Sequence, residues 1–117
     1  MVGIFLVLFV SISRYTGSLF RPPFDSFDTC THVIDGDTFD IASGYRIRLA
    51  DVDTPEQGEY GFQEASDYLG GKIYGKTVYL DFDDVNLYDT TGTRLVAVVY
   101  IEYESGAYMN LNKALLD

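Results

Sequence analysis

Asp35, Gly36, Asp37 and Thr38 are followed in one short stretch by Arg48, Asp53, Thr54, Pro55 and Glu56. Grouped carboxylates collect a hard divalent cation, and a further carboxylate beside them can activate water. Guanidinium groups match the oxygens of a phosphate bidentately, which lysine does not. A second guanidinium, Arg94, stands on a separate strand-like run. Singly each piece is bland, since Asp-Gly is a hairpin dipeptide and Asp-Thr-Pro opens turns and helices. Together the residue types and their spacing outline a site for phosphodiester hydrolysis.

Strands and turns must position these groups. Thr29 to Ile34 and Thr38 to Ile41 are β-prone runs joined by Asp35-Gly36. Ser43-Gly44 makes the next turn, and Tyr45, Ile47 and Leu49 then alternate with Arg46 and Arg48. That period of two places both arginines opposite the face that buries the leucine. Phe62, Ala65, Leu69 and Ile73 recur at helical spacing between Gly61 and Gly75, with Gly70-Gly71 weakening the last turn. Thr77 to Phe82 and Leu95 to Tyr103 read as further strands around a polar loop, Asp83 to Thr93. Ser105-Gly106 turns the chain, and Asn110 to Leu116 reads as the start of a helix that stops at Asp117. Five strands with one internal helix and a shortened terminal helix predict a mainly β, α+β domain built on a five-stranded barrel of the oligonucleotide/oligosaccharide-binding type.

The 117 residues suffice for one core and leave no room for a second. A net charge of −10 is unusual for a partner of nucleic acid, which normally meets a basic surface. Asp25, Asp28, Asp81, Asp83, Asp84, Glu102 and Glu104 lie outside the candidate site, and a salty habitat, an acidic solubilising surface or a non-nucleic-acid partner would each account for them. Cys30 is alone and reads as a small buried hydrophobe, and His32 lacks a partner at ligand spacing and reads as structural.

Val2 to Ile12 is an apolar run ended by Arg14, shorter than the roughly 20 residues of a spanning helix. Residues 1–20 therefore read as a secretory signal or an N-terminal membrane anchor, with a buried first strand as the bland alternative. Residues 21–27, with Arg21-Pro22-Pro23, read as a stiff linker, and 28–117 as the domain. Either reading of the leader predicts a secreted or cell-surface protein. No feature argues for an oligomer.

The residues that carry a family likeness are Ile34-Asp35-Gly36-Asp37-Thr38, the run Arg48 to Glu56, Gly61-Phe62-Gln63-Glu64-Ala65, the run Arg94 to Tyr100, and Asn112-Lys113-Ala114-Leu115. In this order the chain resembles the thermonuclease, or staphylococcal-nuclease-like, family. The resemblance implies a calcium-dependent enzyme that hydrolyses DNA and RNA with little sequence preference and leaves 3′ phosphates. It implies that Asp37 and Asp53 ligate calcium, that Thr54 adds a backbone carbonyl, and that Asp35 is a nearby supporting acid. It assigns Glu56 to the attacking water, and Arg48 and Arg94 to the scissile phosphate.

Two departures stand out. The family's loop runs Asp-x-Tyr-Gly-Arg, whereas this chain reads Asp89-Thr90-Thr91-Gly92-Thr93-Arg94, with one residue inserted and Thr91 in place of the base-stacking tyrosine. Tyr88 is the residue placed to take over the stacking. The terminal helix is cut short, so the domain reads as incomplete at its C-terminus. Two other function classes stay open: a catalytically silent barrel used for binding, and an interaction domain whose acidic face meets a cationic partner.

Overall fold

In the computed structural model, residues 24–83, 87–89 and 91–116 are described. Six strands and two helices follow in order: β1 (Ser26–Asp35), β2 (Thr38–Ile41), β3 (Arg46–Leu49), α1 (Phe62–Ile73), β4 (Thr77–Phe82), β5 (Leu95–Glu104), β6 (Ala107–Asn110) and α2 (Leu111–Leu116). The sheet order is β3-β2-β1-β4-β5-β6, and a parallel β3–β5 pairing closes the first five strands into a barrel. This is the expected five-stranded architecture.

Alternation drives the closure. In β5, Leu95, Ala97, Val99 and Ile101 are buried while Val96, Val98 and Tyr100 are half-buried on the other face. In β3, Ile47 and Leu49 are fully buried and the two arginines point outward. Phe39, Leu69, Ile73, Val78, Leu80 and Leu111 complete the interior. Burying each such side chain contributes about 1.5–3 kcal/mol, enough to outweigh the weak local preference of four-residue strands. Tyr45 departs from the expected alternation: it precedes β3 and is 54% exposed.

Helix α1 runs through Gly70 and Gly71 to Ile73, because Leu69 and Ile73 anchor its last turn in the core. It ends where Gly75 adopts a left-handed φ of 74° and donates its N–H to the Cys30 carbonyl. Cys30 itself is fully buried, as expected of a small hydrophobe. His32 is exposed on β1.

Two boundaries differ from the expected ones. Strand β1 begins at Ser26, paired with Leu80, and Phe24 packs on Tyr79, so the barrel draws in part of the stretch read as linker. Ala107–Asn110 is a strand, hairpin-paired with β5, and α2 starts only at Leu111. The segment read as signal or anchor lies outside the described residues. Among the described residues no helix is long and apolar enough to cross a membrane.

Candidate active site

The β1–β2 hairpin brings Asp35, Asp37 and Thr38 to one end of the barrel wall. The turn is compressed against the rest of the fold: a Cβ at Gly36 would lie 2.7 Å from both the Ala65 Cβ and the Thr54 Oγ1. Only glycine lets helix α1 and the Thr54 segment close on the hairpin. The chain leaving β3 reverses at Asp51, whose φ of 59° is one that Asp tolerates better than bulkier residues. Beyond it the Val52 side chain enters the core, while the Val52 carbonyl meets Arg48 and the Thr54 N–H meets Asp37.

Arg48 occupies the centre of this arrangement. Its Nη1 donates to the Leu49 carbonyl at 2.7 Å and also to the Val52 carbonyl. Its Nη2 lies 3.6 Å from Asp37 Oδ2 and 3.8 Å from Asp53 Oδ1. Asp37 is buried, and its oxygens are well occupied: Oδ1 accepts from Thr38 Oγ1 at 2.8 Å, and Oδ2 accepts from the Thr54 N–H at 3.0 Å and from Thr54 Oγ1 at 3.2 Å. Asp53 is its opposite, with a side chain 92% exposed.

Asp35 and Asp37 share one electrostatic environment. The Asp37 N–H donates to Asp35 Oδ1 at 3.1 Å. Burial, and then the neighbouring Asp37 carboxyl, pushes Asp35 above the usual carboxylate range. Burial would raise Asp37 as well, but contacts from Asp35, Thr38 and Thr54, with the Arg48 charge behind them, hold it below that range. The proton therefore favours Asp35, and Asp37 stays an anion facing a cation.

Glu56 is exposed in the turn that leads to α1, where its N–H donates to Glu59 Oε1 at 2.7 Å. Arg94 leads into β5, two residues before Val96, which pairs with Arg48 across the parallel seam. Its Nε donates to Asp89 Oδ2, and its N–H donates to Asp89 Oδ1 at 3.3 Å. Among the described residues no hydrogen bond or ion pair links Arg94 to the Arg48 cluster. Burial would raise Asp89, but bonds from Thr91 and Arg94 draw its carboxyl far below the ordinary range.

The structure thus gathers Asp35, Asp37, Arg48, Asp53 and Thr54, and leaves Glu56 and Arg94 outside that bonded network. Sequence reasoning missed Asp89 as the partner of Arg94, although an acid opening a Thr-Thr-Gly-Thr turn is an available signal. It named Asn112 for the likeness alone and missed its structural role as a buried side chain on α2. Asn112 Oδ1 accepts from the Val99 N–H at 2.8 Å, while Nδ2 donates to the carbonyls of Ala50 at 2.8 Å and Ala97 at 3.2 Å. These bonds tie the terminal helix to the strand ends from which the Asp51 reversal departs.

The donor set is wholly oxygen: two carboxylates at one guanidinium nitrogen, with Thr54 next in the chain. Such a set suits a hard divalent cation rather than a thiolate- or imidazole-seeking one. Among the described residues no group of three or more His, Cys, Asp or Glu converges to hold a metal. A cation here would rest on two carboxylates, a carbonyl and solvent.

A family model described as staphylococcal nuclease homologue matches residues 46–117, from the start of β3 onward. Asp35 and Asp37 precede that range. Protein ParB of Escherichia coli is 34% identical over 62 residues, which cover 50% of this chain and 35% of that protein. The aligned stretch is thus about a third of that relative's length. With the closed mixed barrel already described and a family match over more than half of its length, the chain belongs to the staphylococcal nuclease homologue family.

Proposed function

We propose that this chain is a calcium-dependent phosphodiesterase that hydrolyses DNA or RNA with little sequence specificity. The observation that carries the reading is Arg48, an outward-facing guanidinium bracketed by a buried and an exposed carboxylate. In this reading Asp37, Asp53 and the Thr54 carbonyl hold the cation, and Asp35 fixes Asp37 through its N–H. When bound, calcium would polarise a phosphate oxygen as a Lewis acid.

The chain's own groups do the rest. Arg48 binds the equatorial oxygens on which negative charge accumulates, and its carbonyl contacts keep the guanidinium plane oriented. Glu56 orients a water and takes its proton as the oxygen attacks phosphorus. The bond to the 5′ oxygen breaks, that oxygen regains a proton, and a 3′ phosphate remains. General-base help of this kind contributes roughly 10² to 10⁴ in rate. Arg94 is the second clamp, and it must exchange or share Asp89 to reach a phosphate. In this reading the apolar run Val2 to Ile12 is a signal or an anchor and the enzyme works outside the cytoplasm.

A second reading is a silent binding barrel. It is favoured by the number of contacts that Arg48 already makes within the protein. Calcium titration separates the two. A ligand that binds only the native state stabilises it by mass action, so at a hundredfold excess over Kd the gain is about 2.7 kcal/mol. A rise of several degrees in Tm at millimolar calcium, lost in Asp53→Asn, is the expected result. An unchanged Tm in the full chain contradicts the proposed metal site.

A further inference from the structure

The described cations divide into two kinds. Arg46, Arg48 and Arg94 are all ion-paired, with Asp40, with Asp37 and Asp53, and with Asp89. No ion pair among the described residues involves a lysine. In a chain with 18 acids and 8 cations, lysines left unpaired are the charges open to a polyanion. Lys72 and Lys76 line a single cleft of about 470 Å³ between the end of α1 and strands β4 and β5.

That cleft is aromatic as well as basic. Tyr79 and Tyr103 line it, and Tyr103 is 61% exposed. Tyr79 is packed against Phe24 at 4.8 Å and Tyr108 at 5.1 Å between ring centroids, which stiffens the wall. The Lys72 ammonium lies 5.4 Å from the centroid of the exposed Tyr68 ring. Glu102 also faces the cleft, where its carboxylate keeps its negative charge while Oε2 accepts from the Gly106 N–H at 2.9 Å, so the two lysines must outweigh it. A lysine in the last turn of a helix offsets the helix dipole, which alone would explain Lys72. Lys76 lies past the helix, in the turn to β4, and has no such role.

Ammonium groups that track a phosphate backbone, beside aromatic faces that stack bases, make up the surface by which proteins hold single strands. We propose that this cleft is a second, non-catalytic binding surface for single-stranded nucleic acid, which takes the strand flanking the Arg48 site. The identity of the strand rests on the nuclease reading above. The path is short: Ala65, packed against Gly36 of the hairpin, and Lys72 are seven residues apart on one face of α1, about 10 Å along its axis.

The test is fluorescence anisotropy of the full chain with labelled oligodeoxythymidylates of about 4 and about 15 nucleotides, spanning single-strand site sizes, in chelator to suppress cleavage. The double variant Lys72→Gln/Lys76→Gln should bind the longer strand about tenfold more weakly and the shorter one unchanged. Its slope of log affinity against log salt should fall by about 1.4, near 0.7 per lost phosphate contact. Tyr103→Ala should weaken the longer strand at least about fivefold and leave inorganic polyphosphate binding unaltered. Lys72→Arg/Lys76→Arg, which keeps the charge, should restore affinity and so separates binding from any loss of fold. Unchanged affinity in the glutamine variant overturns the proposal, as does a loss that is equal for polyphosphate and insensitive to Tyr103. Lysine-dependent binding by a chain that cleaves no substrate would sink the nuclease reading and leave this surface standing.

Discussion

Replacing Arg48 with lysine is expected to lower turnover on single-stranded DNA by about a hundredfold or more, while the barrel stays folded. Removing one preorganised donor to transition-state charge typically costs about 10² to 10³ in rate. The ammonium keeps the charge but not the planar fork, so it cannot hold the Leu49 and Val52 carbonyls and a phosphate together. Asp37 and Asp53 would still face a cation, which limits the loss of stability. Steady-state turnover read beside the melting curve separates the two effects. Near-normal turnover would remove Arg48 from the chemistry.

The largest effect on stability is expected at Asn112. Alanine there leaves the Val99 N–H and the Ala50 carbonyl without their partner, while the Ala97 carbonyl keeps the Ala50 N–H at 2.8 Å. A buried polar group stripped of its bond costs about 1–3 kcal/mol, so the two together should cost about 2–5 kcal/mol. Domains of this size hold only about 5–15 kcal/mol in all. At about 4–8 °C per kcal/mol the Tm should fall by roughly 10 °C or more, whereas Lys113→Ala, at an exposed neighbour, should change it little. A drop of only a few degrees in Asn112→Ala would mean that α2 does not lock the barrel.

What was legible in the sequence was local. Asp35-Gly36 and Ser43-Gly44 announce hairpins, and the alternation of Ile47 and Leu49 with Arg46 and Arg48 gives the outward direction of both arginines. Asp35, Asp37, Arg48, Asp53 and Thr54 lie close together in the chain, so their meeting at one site could be anticipated. What was not legible depends on pairing at a distance. The parallel β3–β5 seam and the three bonds of Asn112 join segments far apart in sequence, and no short-range pattern records them. Strand β6 carries no alternation to announce it, so the sequence assigns Ala107 to Met109 to no element and draws only Asn110 into the terminal helix.

The acid surplus is also clearer in three dimensions. Asp25 accepts the Phe82 N–H, Asp28 accepts those of Thr29 and Ser43, Glu59 accepts that of Glu56, and Glu102 that of Gly106. Asp25, Asp28 and Glu102, three of the seven acids that lie outside the candidate site, are thus turn and strand-end acceptors. Composition counts such charges but does not say which backbone groups they serve.

Calcium-dependent cleavage is the most direct test of the account. The full chain, incubated with single-stranded DNA and, separately, with RNA, should release fragments ending in 3′ phosphate when calcium is present. Cleavage should stop on chelation, return on calcium addition, and be lost in Glu56→Gln at unchanged Tm. A folded chain that cuts neither polymer at any calcium concentration, or that cuts equally well in chelator, would contradict it.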